Sequence, residues 1–400
     1  MHIVYIHTHF EGHFEPLARG LASDPDVSQT FLTTRNTPDM PGIHFVPYAI
    51  PKLESISGSL LSSPFERSLQ IAEGARVALQ QLPSPPDVIL SYAGFGCSIY
   101  APLVFPETPV VGYFPYYYLP RDSEIDFLPD YKVSPDVLSR LPSRNAAMLV
   151  EHAHMRAGYS PTHFQASRFP RSIRAWLDVF HDGIDSTLWS RRETKHFELN
   201  GVTVAPQQKV ISYAARGLEL YRGFDRALDV ISAVLRERQD TIAFILGKPQ
   251  CFYGNDSQFF GGQSLRHYLT STLGPESSRI HFIDWVSTDS LIQLFSRSNL
   301  HLYFTVPYTL SWSLLNAMSC EAPILASNTA PVLEVIQDGQ NGVLADYFDT
   351  EEWVIKSLAI LSDPVHQRAL GLRARQTVES TYSTYVCIPN LKKFLCSVAA

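Results

Sequence analysis

A chain of 400 residues with 45% hydrophobic and 12% aromatic side chains is globular, too long for one ordinary core and suited to two domains of roughly 200 residues each. Its formal charge of −7 argues against a broad polyanion-binding surface, because nothing would offset phosphate repulsion. The five cysteines (Cys97, Cys251, Cys320, Cys387, Cys396) show neither CxxC nor Cys/His ligand spacing, so they read as reduced thiols without a disulfide framework or structural zinc.

The opening residues MHIVYIHTHFEG carry no basic n-region and no long apolar core, so a signal peptide is not expected. No run approaches the ~18 apolar residues of a membrane span, and the expected location is cytoplasmic. Residues 2–7 alternate too little for a half-exposed strand and read as a buried parallel one. Gly12 then sits in a loop, and Phe14, Leu17, Ala18 and Leu21 share one face of a helix. Strand, glycine loop and helix begin a doubly wound domain, here without GxGxxG. His7, His9, Glu11 and His13 crowd that loop. A metal site, a contact to a donor or acceptor, and a plain polar loop all fit, with His9 and Gly12 the favoured contacts.

Strands follow at 30–34 and 44–47, then a helix over 64–82, stopped by prolines, and a buried strand at 87–91. Gly94 and Gly96 let the backbone behind that strand approach a ligand. The strand 109–114 runs into Tyr113, Tyr116, Tyr117 and Tyr118. Such rings match the apolar face of a pyranose, and they are equally at home in a core. Residues 140–174 are locally basic, which suits a solvated helix face or a surface for an anionic acceptor or the inner leaflet. His152 and His154 lie on different faces of a helix and form no metal pair. A last strand at 176–181 closes a first domain of residues 1–186. The polar, poorly periodic residues 187–208 read as a linker.

The second domain, 209–380, begins with a strand at 209–215 and a turn holding Arg216, Gly217, Arg222 and Gly223. Two cations flanking a glycine turn at a strand end are well placed to hold a diphosphate. The strand 241–248 ends at Gly247 and Lys248, where Lys248 could reach a phosphate or a base. In the loop 249–262, Asn255 and Asp256 offer only one acid, too little for an Asp-x-Asp metal site. After strands at 279–282 and 284–286, residues 301–306 form a strand closed by Pro307 and Tyr308. Ser311 is a good N-cap for the helix that follows, and the amides of Ser311, Trp312 and Ser313 would meet a phosphate at its positive end. Helices at 351–361, 364–380 and 384–397 complete the chain, with residues 381–400 expected to cross back to the first domain.

The segment Tyr308, seven residues, Asn316, Ala317, Met318, Ser319, Cys320, Glu321 resembles the donor-sugar segment of the retaining GT-B glycosyltransferases of family four. That family usually carries Glu, seven residues and Glu before Ala-Met-Ala-Cys-Gly, so Tyr308 and Asn316 stand where two acids are expected. The likeness continues in the Asp182, Gly183, Ile184, Asp185 junction and in the Arg216 turn, where Arg222 replaces a lysine. It spans essentially the whole length.

The resemblance implies an α/β chain of GT-B architecture, two Rossmann-like doubly wound domains facing across a cleft, the first for acceptor and the second for nucleotide-sugar donor. It implies a metal-independent enzyme without cofactor, moving a hexosyl group from a nucleoside diphosphate sugar to an acceptor hydroxyl with retention. The setting would be glycan, glycolipid or glycoconjugate biosynthesis. Arg216, Arg222 and His9 take catalytic roles, and Gly12, Lys248, Val286, Ser311, Trp312, Ser313 and Asn316 hold the donor. Tyr113, Tyr116 and Tyr117 hold the acceptor, and no metal is held. Partners would be the nucleotide sugar and a glycan, lipid-linked or small-molecule acceptor, without nucleic acid and with peripheral membrane contact allowed. The missing acids leave a second expectation open, a catalytically impaired homologue that stabilises another transferase.

Overall fold

The computed structural model describes residues 1–37, 39–51, 59, 61–193, 197–254 and 256–400. The chain divides into two compact units, Met1–Gly183 with Thr384–Ala400, and Ile184–Ser383.

The first unit is a seven-stranded parallel sheet of β1 (His2–Ile6), β2 (Ser28–Thr33), β3 (His44–Pro47), β4 (Val88–Tyr92), β5 (Val110–Tyr113), β6 (Ala157–Ser160) and β7 (Leu177–Val179), in the order β3-β2-β1-β4-β5-β6-β7. The order reverses between β1 and β4, the place where the loops after neighbouring strands part and leave a crevice. Both faces of the sheet are covered at its centre, which is why β1, β4 and β5 are mostly apolar. The helix Thr384–Ala399 packs on the helix Glu15–Leu21 in this unit. A Cβ on Gly20 would stand 2.2 Å from Ile388 Cδ1, so a larger residue there would make the Ile388 side chain shift. Lys392 and Asp24 tie the same two segments at 2.5 Å.

The second unit is a six-stranded parallel sheet in the order β12-β11-β10-β13-β14-β15. Its strands are β10 (Lys209–Gly217), β11 (Thr241–Lys248), β12 (Ile280–Ile283), β13 (Leu300–Tyr303), β14 (Ile324–Ser327) and β15 (Val343–Ala345), and the switch lies between β10 and β13. Gly223 adopts φ 61° at the start of the helix Phe224–Glu237, and a Cβ there would meet Phe304 Cβ at 2.5 Å. That glycine turns the chain sharply and brings the preceding loop against β13.

Residues 187–208 are more than a linker. β8 (Phe197–Leu199) and β9 (Val202–Val204) form an antiparallel ribbon whose Phe197, Leu199 and Val204 are buried against Phe244 of the second sheet. Three apolar side chains at alternating positions were enough to pull the segment into the unit; residues 194–196 of it lie outside the described residues. Two further strands have no clear signal in the sequence, β6 with its glycine and serine, and the three-residue β15. Among the described residues, no helix is long and apolar enough to cross a membrane.

Candidate functional site

In the second unit, the loops after β10, β11 and β13 gather at the carboxyl edge of the sheet. Glu219 is fully buried, and its Oε2 accepts from the Phe252 and Tyr253 amides at 2.6 and 3.0 Å. Asp256 Oδ2 accepts from the Leu220 amide at 2.8 Å, so Asp256 fastens one loop to the other; Asn255 lies outside the described residues. On this platform Arg216 is exposed, its guanidinium 4.3 Å from the centre of the Phe252 ring.

Arg222 fares differently. It is 6% exposed, and its Nη1 donates to Thr305 Oγ1 and to the Thr309 carbonyl, both at 3.0 Å. Nη2 reaches Thr309 Oγ1 at 3.4 Å, and the rings of Tyr253 and Tyr308 flank the group. Burial opposes its charge, but Tyr303, Tyr253, Glu219 and Tyr308 outweigh that and hold its pKa above the ordinary value. The expected pair of diphosphate cations therefore becomes one exposed arginine and one that braces the loop after β13.

The helix Trp312–Ser319 starts where expected, with Ser311 as its cap. Two of the three amides expected to meet a phosphate are already engaged, because the Ser311 amide donates to the Tyr303 hydroxyl at 3.0 Å and the Ser313 amide to Ser311 Oγ at 3.3 Å. Those bonds would have to yield to a ligand. One turn on, Asn316 Oδ1 is buried and accepts no hydrogen bond from the described residues. An orphaned buried carbonyl oxygen costs about 1–3 kcal/mol, and a ligand hydroxyl would relieve it. Tyr308 is 6% exposed, its ring turned toward Tyr253 and Arg222. Lys248 is exposed at the end of β11, while Val286 is half-buried and packs on the core beside Ile283.

In the first unit, the loop after β1 is held from within. His7 is buried, accepts from the His9 amide at 3.1 Å, and is kept neutral chiefly by burial, which lowers its pKa well below the usual value. Gly12 faces His9, and a Cβ there would lie 3.5 Å from His9 Nε2. His13 Nδ1 lies 3.0 Å from Asp182 Oδ2 and 2.9 Å from the Tyr113 hydroxyl, a part-buried knot joining the loop, β5 and the segment after β7. Among the described residues, no three His, Cys, Asp or Glu side chains converge as a metal site.

The tyrosines expected to stack on a sugar need correction. Tyr113 is 0% exposed and donates to Asp182 Oδ2, and Tyr116 is 3% exposed and donates to Glu124 Oε2 at 2.6 Å. Tyr113 ends β5 in a sheet covered on both sides, and Tyr116 in the segment beyond it is closed over by its own neighbours, so neither ring face is open. Tyr117 is half-buried against Phe169. The half-buried Phe95 and Tyr118 instead help line a cavity of about 390 Å³ with His9, Arg35, Arg67 and Arg144.

Sequence reasoning missed Glu151. It is fully buried in the helix Leu141–His152 and accepts from the Gly94 amide at 2.7 Å, the Ser98 amide at 3.0 Å and Ser98 Oγ at 3.1 Å. Burial pushes its pKa up to about 7 against the pull of those donors. The available signal was an acid three positions beyond Met148, on the apolar face of an amphipathic helix.

Known proteins fit this arrangement. Residues 26–188 match a family model described as glycosyl transferase family 4 group, and residues 208–363 one described as glycosyl transferases group 1. The chain is 23% identical over 235 residues to spore coat protein SA of Bacillus subtilis, a match covering 56% of this chain and 59% of that protein. It is 31% identical over 90 residues to N-acetyl-alpha-D-glucosaminyl L-malate synthase of Bacillus anthracis, covering 22% of this chain and 24% of the other. The structure of Anabaena HepE in complex with UDP and glucose superposes with a TM-score of 0.69 at 13% identity, over 99% of this chain and 100% of that one. The fold is GT-B.

Proposed function

From a GT-B chain whose two units each match a glycosyltransferase family model, we infer a glycosyltransferase that moves a hexosyl group from a nucleoside diphosphate sugar to an acceptor hydroxyl with retention. The observation that carries this reading is Arg216: an exposed cation at the switch point of the second sheet, steadied on Phe252 by a loop that two buried carboxylates fasten. The fold it shares with HepE, whose structure holds UDP and glucose, makes a uridine nucleotide the first donor to try.

In the proposed reaction the bond from the anomeric carbon to the diphosphate breaks and the acceptor oxygen takes the same face. The hydroxyl proton passes to the departing phosphate oxygen. Positioning and electrostatic stabilisation do the work, and no protein nucleophile is required. Arg216 offsets the charge growing on the diphosphate, so the reaction is proposed to be metal-independent. Asn316 takes a ribose hydroxyl through its orphaned oxygen. The second unit holds the donor and the first the acceptor, with His9 beside the acceptor hydroxyl. The proposed setting is cytoplasmic glycan, glycolipid or glycoconjugate synthesis.

Two observations favour a second reading, a catalytically impaired homologue that stabilises another transferase. Tyr308 and Asn316 replace the two acids, and Arg222 is committed inside the unit. A thermal-shift panel of nucleoside diphosphates, with and without sugars, separates the two. Stabilisation by one nucleotide that Arg216→Ala reduces supports the enzyme. No shift with any of them sinks it and leaves the partner subunit.

A further inference from the structure

The cavity in the first unit is basic, with no acid among the described residues that line it. Arg35 enters it from the loop after β2, Arg67 from the helix Ser63–Leu79, and Arg144 from the helix Leu141–His152. All three are exposed, none has an ion-pair partner among the described residues, and no Asp or Glu is among the described residues that line the space. Its floor is the loops after β1 and β4, at the switch point of the sheet. Arg144 is held ready, its guanidinium 4.0 Å from the Tyr118 ring centre. In a chain of net charge −7, three arginines converging on one concave space of about 390 Å³ concentrate positive potential where the rest of the molecule is acidic. Arginine forks match the oxygens of phosphate and carboxylate in pairs.

We propose that this cavity receives an anionic group of the acceptor, a phosphate ester or a carboxylate on a sugar-sized polar molecule. Phe95 and Tyr118 offer apolar surface to the uncharged part. This rests on the transferase reading for the word acceptor, but the anion site itself can be tested without turnover.

The test is calorimetric titration of the full-length chain with glucose 6-phosphate, glucuronate and glucose. Sedimentation with phosphatidylglycerol vesicles runs beside it, to tell a soluble anion from a lipid headgroup. The wild type should bind at least one anionic probe at least tenfold more tightly than glucose. Arg67→Gln and Arg144→Gln should each weaken that probe by about tenfold, with Arg67→Lys between them and wild type. Nucleoside diphosphate binding should be unchanged in all three variants. Anionic and neutral probes binding alike, or anion binding indifferent to both glutamine variants, overturns the proposal. Loss of nucleotide binding in the wild type would instead strike the transferase reading and leave the anion result standing.

Discussion

The two units are built to one plan, a doubly wound parallel sheet whose loops gather at a switch point; both bury carboxylates, but among the described residues only the second also buries an arginine. The first buries an acid, Glu151, under the amides of its loop after β4 and leaves three arginines lining its cavity. The second buries a cation, Arg222, among threonine oxygens and tyrosine rings and leaves Arg216 outside. In each unit the buried charge shapes a loop, and the exposed charge is the one proposed to meet a ligand. Residue type alone does not separate the two jobs; exposure does.

The strongest way to break this contrast is at Arg222. Arg222→Ala removes three hydrogen bonds to Thr305 and Thr309 and opens a space in the buried loop after β13, so denaturant unfolding should show a loss of about 3 kcal/mol. A variant of unchanged stability that no longer binds nucleotide would make Arg222 a ligand contact and erase the distinction drawn above.

Glu151 should show itself through pH. Its folded pKa lies above the unfolded one, so the folded state holds the extra proton between them. Stability is then greatest below about 4.5 and falls as pH rises toward about 7, levelling above that. The fall attributable to this group is on the order of 3 kcal/mol. Urea unfolding from pH 5 to 8 on wild type and Glu151→Gln isolates it: the difference between the two should change with pH over that window. A constant difference would mean the carboxylate is not held as described.

At Arg216 the expected pattern is reversed. Arg216→Ala should leave the unfolding midpoint within about 0.5 kcal/mol of wild type, because the side chain is exposed, and weaken nucleoside diphosphate binding by about tenfold. Calorimetry on the variant, read beside its unfolding curve, decides between ligand contact and brace. Asn316 should give the smallest effect. Asn316→Ala removes one neutral hydrogen bond to the proposed ribose hydroxyl, so affinity should drop only a few-fold and stability should hold or rise as an orphaned oxygen disappears. A large loss of stability would show that the oxygen had a partner after all.

Much of this molecule could be read before its structure. Strands β1, β4, β5, β10, β11 and β13 are continuous apolar runs because a parallel sheet covered on both faces asks for little else, and glycines, prolines and Ser311 punctuate them. Two sheets of this kind, the strand-end turn with Arg216 and the cap at Ser311 are local patterns, fixed by a few neighbouring residues. What the tertiary structure alone decided is which polar groups are spent internally. Arg222 meets Thr305 across 83 positions of chain, Tyr113 meets Asp182 across 69, and Glu151 meets Ser98 across 53. The cavity draws Arg35, Arg67 and Arg144 from three separate elements. Burial and hydrogen-bond partnership belong to contacts distant in sequence, and no local pattern carries them.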